Sequence, residues 1–486
     1  MCALFGRSSF GLMAGAVSVH LVSFAVALLL APPSAAASLV VLVTLALVVL
    51  VRASGPFFFL EPWNPWLAVF PFLVFLLAVW GLADGDRWMA PLAVLAGAHT
   101  IQSHTGYLVL VIGLLGASVV VSVVRFGRRT VGPILVAGVV GALVWLPPLI
   151  DQLTREPGNL SILKYNFTHP DAPYLAKGLV MRAFGSELSV LGPWMTGPAL
   201  VTRNLPGVVV TLALWAAAIR LAWRRRDRSA LTLHGLLALA TVLALFSVER
   251  IFGAYFEYTV RWFWVLTATI IAGSVWTIWR CWARRWLDEV SGNLLLGLGL
   301  AAAVSLLATV QFAGRAEVPF ETDSAMVASV VGDVEAGLPT GDYLVRWFDP
   351  VGLGAVPFGL LLELARDGYG VGVDPQHAAA ALPQRVLPED RADGIVYVVL
   401  GLGPTRCGHY LAGRRSPSPT LVRTRTWRDH RSSSSSSGPA SSRWVDPSSS
   451  TISTPSTGGR ASCSSSRRSR STSPTPCRSW SPCGSR

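Results

Sequence analysis

Two stretches of this chain, residues 8–51 and 88–124, contain no Asp, Glu, Lys or Arg. An apolar run of about 20 residues crosses a bilayer core as a helix, the one local structure that satisfies every backbone group inside a single segment. Each of the two stretches is long enough for two such helices joined by a tight turn. The same reading along the rest of the chain predicts spans at roughly 10–30, 37–52, 65–83, 88–104, 106–124, 132–150, 205–223, 229–248, 260–279 and 291–313. The expected fold class is therefore an all-α polytopic membrane helix bundle, at residues 1–313, with about ten spans.

Beyond 313 the pattern changes. Residues 323–336 and 352–367 have helical periodicity, and Asp342–Trp347, Gly370–Val373 and Ile395–Leu400 read as short strands. Alternating strand and helix predicts a small α/β domain over 314–405 with a partly parallel sheet. From 406 the chain is a different material, with 25 Ser among its last 81 residues and no apolar period. It reads either as a disordered Ser/Arg-rich tail or as a frameshift product, since GC-rich codons read out of phase yield Arg, Ser, Thr, Pro and Cys.

Basic residues set the orientation. Arg125, Arg128 and Arg129 follow the fifth span, Arg224, Arg225, Arg226 and Arg228 the seventh, and Arg280, Arg284 and Arg285 the ninth. All three groups fall on one side of the alternation, which the positive-inside rule makes cytoplasmic. The connections 53–64, 151–204 and 249–259 then face outward, as does the α/β domain, in a multi-pass protein of the plasma membrane. The first span would enter from outside, so the expected gene start lies upstream, with a missing span and loop before Met1.

Composition adds little beyond this. The formal net charge is +13, but 14 Arg and only Asp429 and Asp446 lie in residues 406–486, so nearly all the excess belongs to the tail. The basic balance therefore gives no reason to expect a nucleic-acid partner. Four of the six cysteines are in the tail as well, and Cys2 and Cys281 have no metal-ligand spacing. No cofactor motif is identified, and nothing in the sequence supports a divalent metal.

Polar groups near membrane depth are the candidates for chemistry. His20 falls mid-span and reads as a neutral imidazole bonded to a neighbouring helix. His99, Gln102 and His104 form a polar island, AHTIQSHTGYL, at an outer turn. Glu61 and Asn64 sit among tryptophans in LEPWNPW. Asp151 and Arg155 lie in PPLIDQLTREPGNLS, where they read equally as a phosphate-binding arginine with neighbours or as a surface ion pair. Arg250, Glu257 and Arg261 lie in ERIFGAYFEYTVRWFW. The i,i+4 spacing of Glu257 and Arg261 suits a structural salt bridge, leaving Arg250 freer to meet a lipid phosphate. Glu61, Asn64, His104, Asp151, Arg155 and Arg250 are expected to border one outward cavity, with His99, Gln102, Glu257 and Arg261 behind them.

In their order, EPWNPWLAVFPFLVFLLAVW, HTIQSHTGYL, WLPPLIDQLTREPGNLS and RIFGAYFEYTVRWFW resemble actinobacterial membrane proteins of the GT-C glycosyltransferase superfamily. The resemblance covers about residues 5–402. It implies transfer of a sugar from a polyprenyl-phosphate donor to a glycan acceptor on the outer membrane face. It also implies a catalytic carboxylate in a first external loop. This chain has no acid before Glu61, so no catalytic residue is assigned and the chain as written is expected to be inactive. A transporter or lipid-linked glycan flippase, and a non-catalytic membrane scaffold, are the alternatives.

Overall fold

The structure, a computed structural model, describes residues 9–30, 36–170, 172–198, 204–281, 291–348, 354–381, 383–399 and 421–426. It divides into two compact units, Met1–Ala325 and Met326–Arg486.

The first unit is helical. Its elements are α1 (Ser9–Leu29), α2 (Ala36–Ser54), the short α3 (Asn64–Leu67), α4 (Val69–Asp84), α5 (Met89–Ser103), α6 (Leu108–Phe126) and α7 (Val131–Thr154). The connection after α7 holds α8 (Asn159–Thr168), α9 (Lys177–Glu187) and a single turn, α10 (Pro193–Thr196). Then come α11 (Leu205–Arg225), α12 (Arg228–Glu249), α13 (Trp262–Cys281) and α14 (Ser291–Ala313). Helix α4 is the centre: 14 of its 16 residues are buried, and α1, α5, α6, α12 and α13 pack around it. The outer helices turn apolar side chains outward instead. Leu296, Leu300, Val304 and Leu307 of α14, and Leu135, Val139 and Leu143 of α7, are all more than half exposed. Apolar faces of that extent are solvated by lipid, not water.

Seven helical stretches among the described residues are long and apolar enough to cross a membrane. This is fewer than the ten expected, for identifiable reasons. Thr105–Thr154 counts once although it contains α6 and α7, joined by a 3-10 turn at Gly127–Thr130. The apolar part of α2, Ser38–Ser54, falls among the shorter helices. Helix α5 has 15 residues, about 22 Å at 1.5 Å per residue, short of a core about 30 Å thick.

One end of the bundle is basic. Arg125 donates to the Ala83 carbonyl at 3.2 Å and to Thr232 at 3.0 Å, and Arg87 donates to the Arg129 carbonyl at 3.3 Å. Asp227 caps α12 through the Ala230 amide and pairs with Arg280 at 3.0 Å. His104, Arg250 and Arg261 stand at the opposite ends of α6, α12 and α13.

The second unit is α/β. The division between units falls inside α15 (Glu321–Gly337). Then follow β1 (Asp342–Phe348), α16 (Ala355–Arg366), β2 (Gly370–Val373), the single turn α17 (Ala378–Ala381), β3 (Gly394–Val399) and β4 (Leu421–Thr426). The sheet order is β2-β1-β3-β4, with β1 parallel to both β2 and β3, and β4 antiparallel to β3. Val345, Val373, Val396 and Val398 form its core with Leu360 and Leu364 of α16. Within the segment expected to be a Ser/Arg-rich tail, the six residues of β4 pair with β3. The rest of 406–486 lies outside the described residues.

Candidate functional site

Two 3-10 turns organise the end of the bundle opposite the basic one. Thr105–Tyr107 links α5 to α6, and Glu257–Val260 leads into α13. On one side they border a cavity of about 790 Å³, to which they contribute Thr105, Gly106 and Thr259. Leu163 and Phe167 of α8, Phe246 of α12, and Phe252 form apolar walls, and His104 and Arg250 line it with the smaller polar groups of Asn166, Tyr174 and Ser247. Backbone pairing of Tyr174 with Phe252 closes one flank.

His104 and Arg250 are set by local structure. His104 caps the first turn: its Nδ1 accepts from the Gly106 amide at 3.2 Å. A neutral imidazole that accepts at Nδ1 carries its proton on Nε2, so Nε2 is a donor. A Cβ at Gly106 would lie 2.9 Å from His104 Nδ1 and 3.4 Å from the Thr259 carbonyl oxygen, so glycine permits this close approach. Arg250 is the C-cap residue of α12 and is exposed. None of the ion pairs among the described residues involves it.

Behind the same turns lies a buried polar cluster. The Arg261 guanidinium is 2% exposed and pairs with Glu257 at 2.7 Å. It lies over the rings of Trp66 and Trp264, at 4.2 and 3.8 Å from their centroids. Its Nε and Nη1 make no hydrogen bond, nor does the buried hydroxyl of Tyr107. Glu187, at the end of α9, is 2% exposed and accepts from the Tyr255 hydroxyl at 3.4 Å. Burial pushes its carboxyl up to about 8, against the opposing pull of Arg261 and Tyr255. Glu61 is half-buried, and burial raises its carboxyl too, opposed by Trp66 and Arg261.

The expected rim is thus divided. Among the described residues the cavity takes His104 and Arg250 from it. Asp151 and Arg155 pair with each other at 2.8 Å on the surface. Asn64 opens α3 and is exposed. Glu61 borders the buried cluster. His99 Nε2 meets the Leu67 carbonyl at 3.3 Å and Ser103 at 3.4 Å, fastening α3 to α5. Gln102 donates to the Val144 carbonyl at 3.1 Å. Pro148 lies four residues after Val144 and has no N–H to offer it, so Gln102 replaces the missing helix bond. His20 is not bonded to a neighbouring helix: both ring nitrogens lack hydrogen bonds, and Phe58, Phe59 and Phe70 surround the ring at 4.4–5.6 Å.

No family model, curated protein or solved structure matches this chain. The chemistry of the site is therefore read from its residues. Glu187, Tyr107 and Tyr255 escaped the sequence reading. The available signal for Glu187 was its isolation, as the single acid between Asp171 and Asp227.

Proposed function

We propose that this chain is a multi-pass plasma-membrane protein with the donor site of a transferase, holding a polyprenyl-phosphate-linked sugar on the outer membrane face, and that as written it lacks the carboxylate that would complete the transfer. The observation that carries this reading is the pairing, in one 790 Å³ cavity, of the Arg250 and His104 donors with walls of Leu and Phe. An amphipathic phosphate needs both: donors for its head and an apolar channel for its first isoprene units. The reading takes all ten apolar segments as crossing the bilayer. The basic end of the bundle then faces the cytoplasm, and the cavity and the α/β unit face outward. In the transfer, an acceptor hydroxyl attacks the anomeric carbon, a carboxylate base takes its proton, and the bond to phosphate oxygen breaks with its electron pair. Arg250 and His104 Nε2 stabilise the charge that develops on the departing phosphate. The base is assigned to no residue among those described in the cavity wall.

The test uses full-length protein in lipid nanodiscs with undecaprenyl phosphate as the probe. Losing a charge-assisted hydrogen bond costs roughly 1.5–3 kcal/mol, so Arg250→Ala should weaken binding by about ten- to a hundredfold, and His104→Ala by less. Unchanged affinity in both variants would remove the basis of the proposal. Transfer from a polyprenyl-phosphate sugar to an oligosaccharide is then assayed in the same preparation.

A further inference from the structure

The α/β unit has a crevice of its own. Strand β1 runs parallel to β2 on one side and to β3 on the other. The chain leaves β1 through α16 towards β2 and later returns to β3 beyond β1's opposite edge. Connections leaving the carboxyl ends of β1 and β3 therefore diverge, and in open α/β sheets ligands bind outside the strands' carboxyl ends at such a reversal. A cavity of about 630 Å³ lies there, lined by Trp347 and Phe348 ending β1, His377 after β2, and Tyr397 and Val399 ending β3.

The equipment of this crevice is specific. Arg346 forks onto Asp374, with Nε–Oδ2 and Nη2–Oδ1 both at 2.8 Å, and also meets Glu389 at 2.8 Å. The fork holds the Asp374 carboxyl below its ordinary range, so it stays ionised at neutral pH. His377 stacks on Trp347 with ring centroids 4.1 Å apart and planes 25° apart, and Phe358 braces the indole edge-on at 5.1 Å. Phe348 is 56% exposed. Gln376 is within 3.3 Å of the His377 ring.

These features select among ligand classes. A phosphate finds the arginine already occupied by two carboxylates. A metal ion finds those carboxylates committed to the arginine, and no cluster of three metal-ligating side chains occurs among the described residues. What remains is rigid planar polar groups beside one exposed ring, Phe348, and the half-buried His377–Trp347 stack. Those suit a ligand with paired hydroxyls on one side and C–H groups on the other. We propose that the crevice at the carboxyl ends of β1 and β3 binds a neutral carbohydrate, its C–H face on Phe348 and the His377–Trp347 stack, its hydroxyls on the remaining lone pairs of Asp374, which Arg346 holds in place, and on Gln376.

The experiment titrates full-length protein in nanodiscs with maltohexaose, mannohexaose and galactohexaose by calorimetry, with inorganic phosphate as competitor. At least one oligosaccharide should bind saturably, and phosphate should not displace it. Phe348→Ala and His377→Ala should each weaken binding about tenfold, equivalent to about 1.4 kcal/mol, with circular dichroism and melting unchanged. Trp347→Phe, which keeps a ring against Phe358, should weaken it as well. Absence of binding by all three sugars, affinity unaltered in all three variants, or displacement by phosphate would each overturn the proposal. Arg250→Ala should leave sugar affinity at this crevice intact, so this inference and the lipid-phosphate reading fail separately.

Discussion

Glu187→Gln should stabilise the protein, and the gain should grow with pH. A carboxyl whose proton is held more tightly in the fold than in the unfolded chain makes the folded state the larger proton carrier. Stability then falls as pH rises between the two titration points, here 4.5 unfolded and about 8 folded. Below the lower point the residue costs nothing. Above the upper point the full cost applies, which at 1.36 kcal/mol per pH unit is about 5 kcal/mol, an order-of-magnitude figure. At pH 7 the same arithmetic leaves about 3 kcal/mol. Glutamine has the shape of the protonated acid and keeps an acceptor for the Tyr255 hydroxyl, so it removes the titration while preserving the contact. Melting of wild type and variant in nanodiscs, followed by tryptophan fluorescence from about pH 4 to pH 9, should give curves that coincide in acid and separate steadily above about pH 5. If the variant melts below wild type at neutral pH and the wild-type profile is flat, Glu187 is ionised in place and pairs with Arg261. The reasoning from burial would then be wrong.

Gln102→Leu should lower stability by about 1–3 kcal/mol, because lipid offers no substitute donor for the Val144 carbonyl that Pro148 leaves unbonded; the melting temperature reports it. Asp227→Ala removes both the α12 cap and the pair with Arg280 and should cost about 1–2 kcal/mol in the same assay. Gly106→Ala should weaken undecaprenyl phosphate binding with little change in melting, since the added methyl displaces the His104 ring. Deleting residues 421–426 should speed hydrogen exchange at the β3 amides that β4 covers.

Much of the helical framework could be read from hydropathy, because lipid imposes a local rule on each segment. The expected spans 205–223, 229–248 and 260–279 differ from α11, α12 and α13 by a few residues at their ends. The strands at 342, 370 and 394 were equally visible as short apolar runs between helical segments. Convergence was not visible. Asp151 and Arg155, four residues apart, satisfy each other, while Glu187 reaches Tyr255 across 68 residues. Local spacing predicts the first kind of contact and carries no information on the second. Glu257 and Arg261 pair at i,i+4 as their spacing suggests, but nothing local announces that two indoles enclose the guanidinium. Strand β4 was hidden by its setting: Leu421–Thr426 alternates β-formers and arginines inside a stretch dominated by Ser and Arg.

The proline pair in α7 has an architectural meaning. Helix α7 continues past Pro147 and Pro148 to Thr154, and Gln152 then holds the first amides of α8, accepting from Leu160 at 2.7 Å and Ser161 at 3.2 Å. Leu163, Asn166 and Phe167 of α8 form part of the cavity wall. That part of the wall lies beyond the proline pair, and Gln102 of α5 satisfies the Val144 carbonyl that the pair leaves unbonded. His104 and Arg250 end α5 and α12 instead. The α8 part of the wall and the His104 and Arg250 groups of the cavity are thus carried by separate elements of the chain, and the proline pair stands on the path to the first.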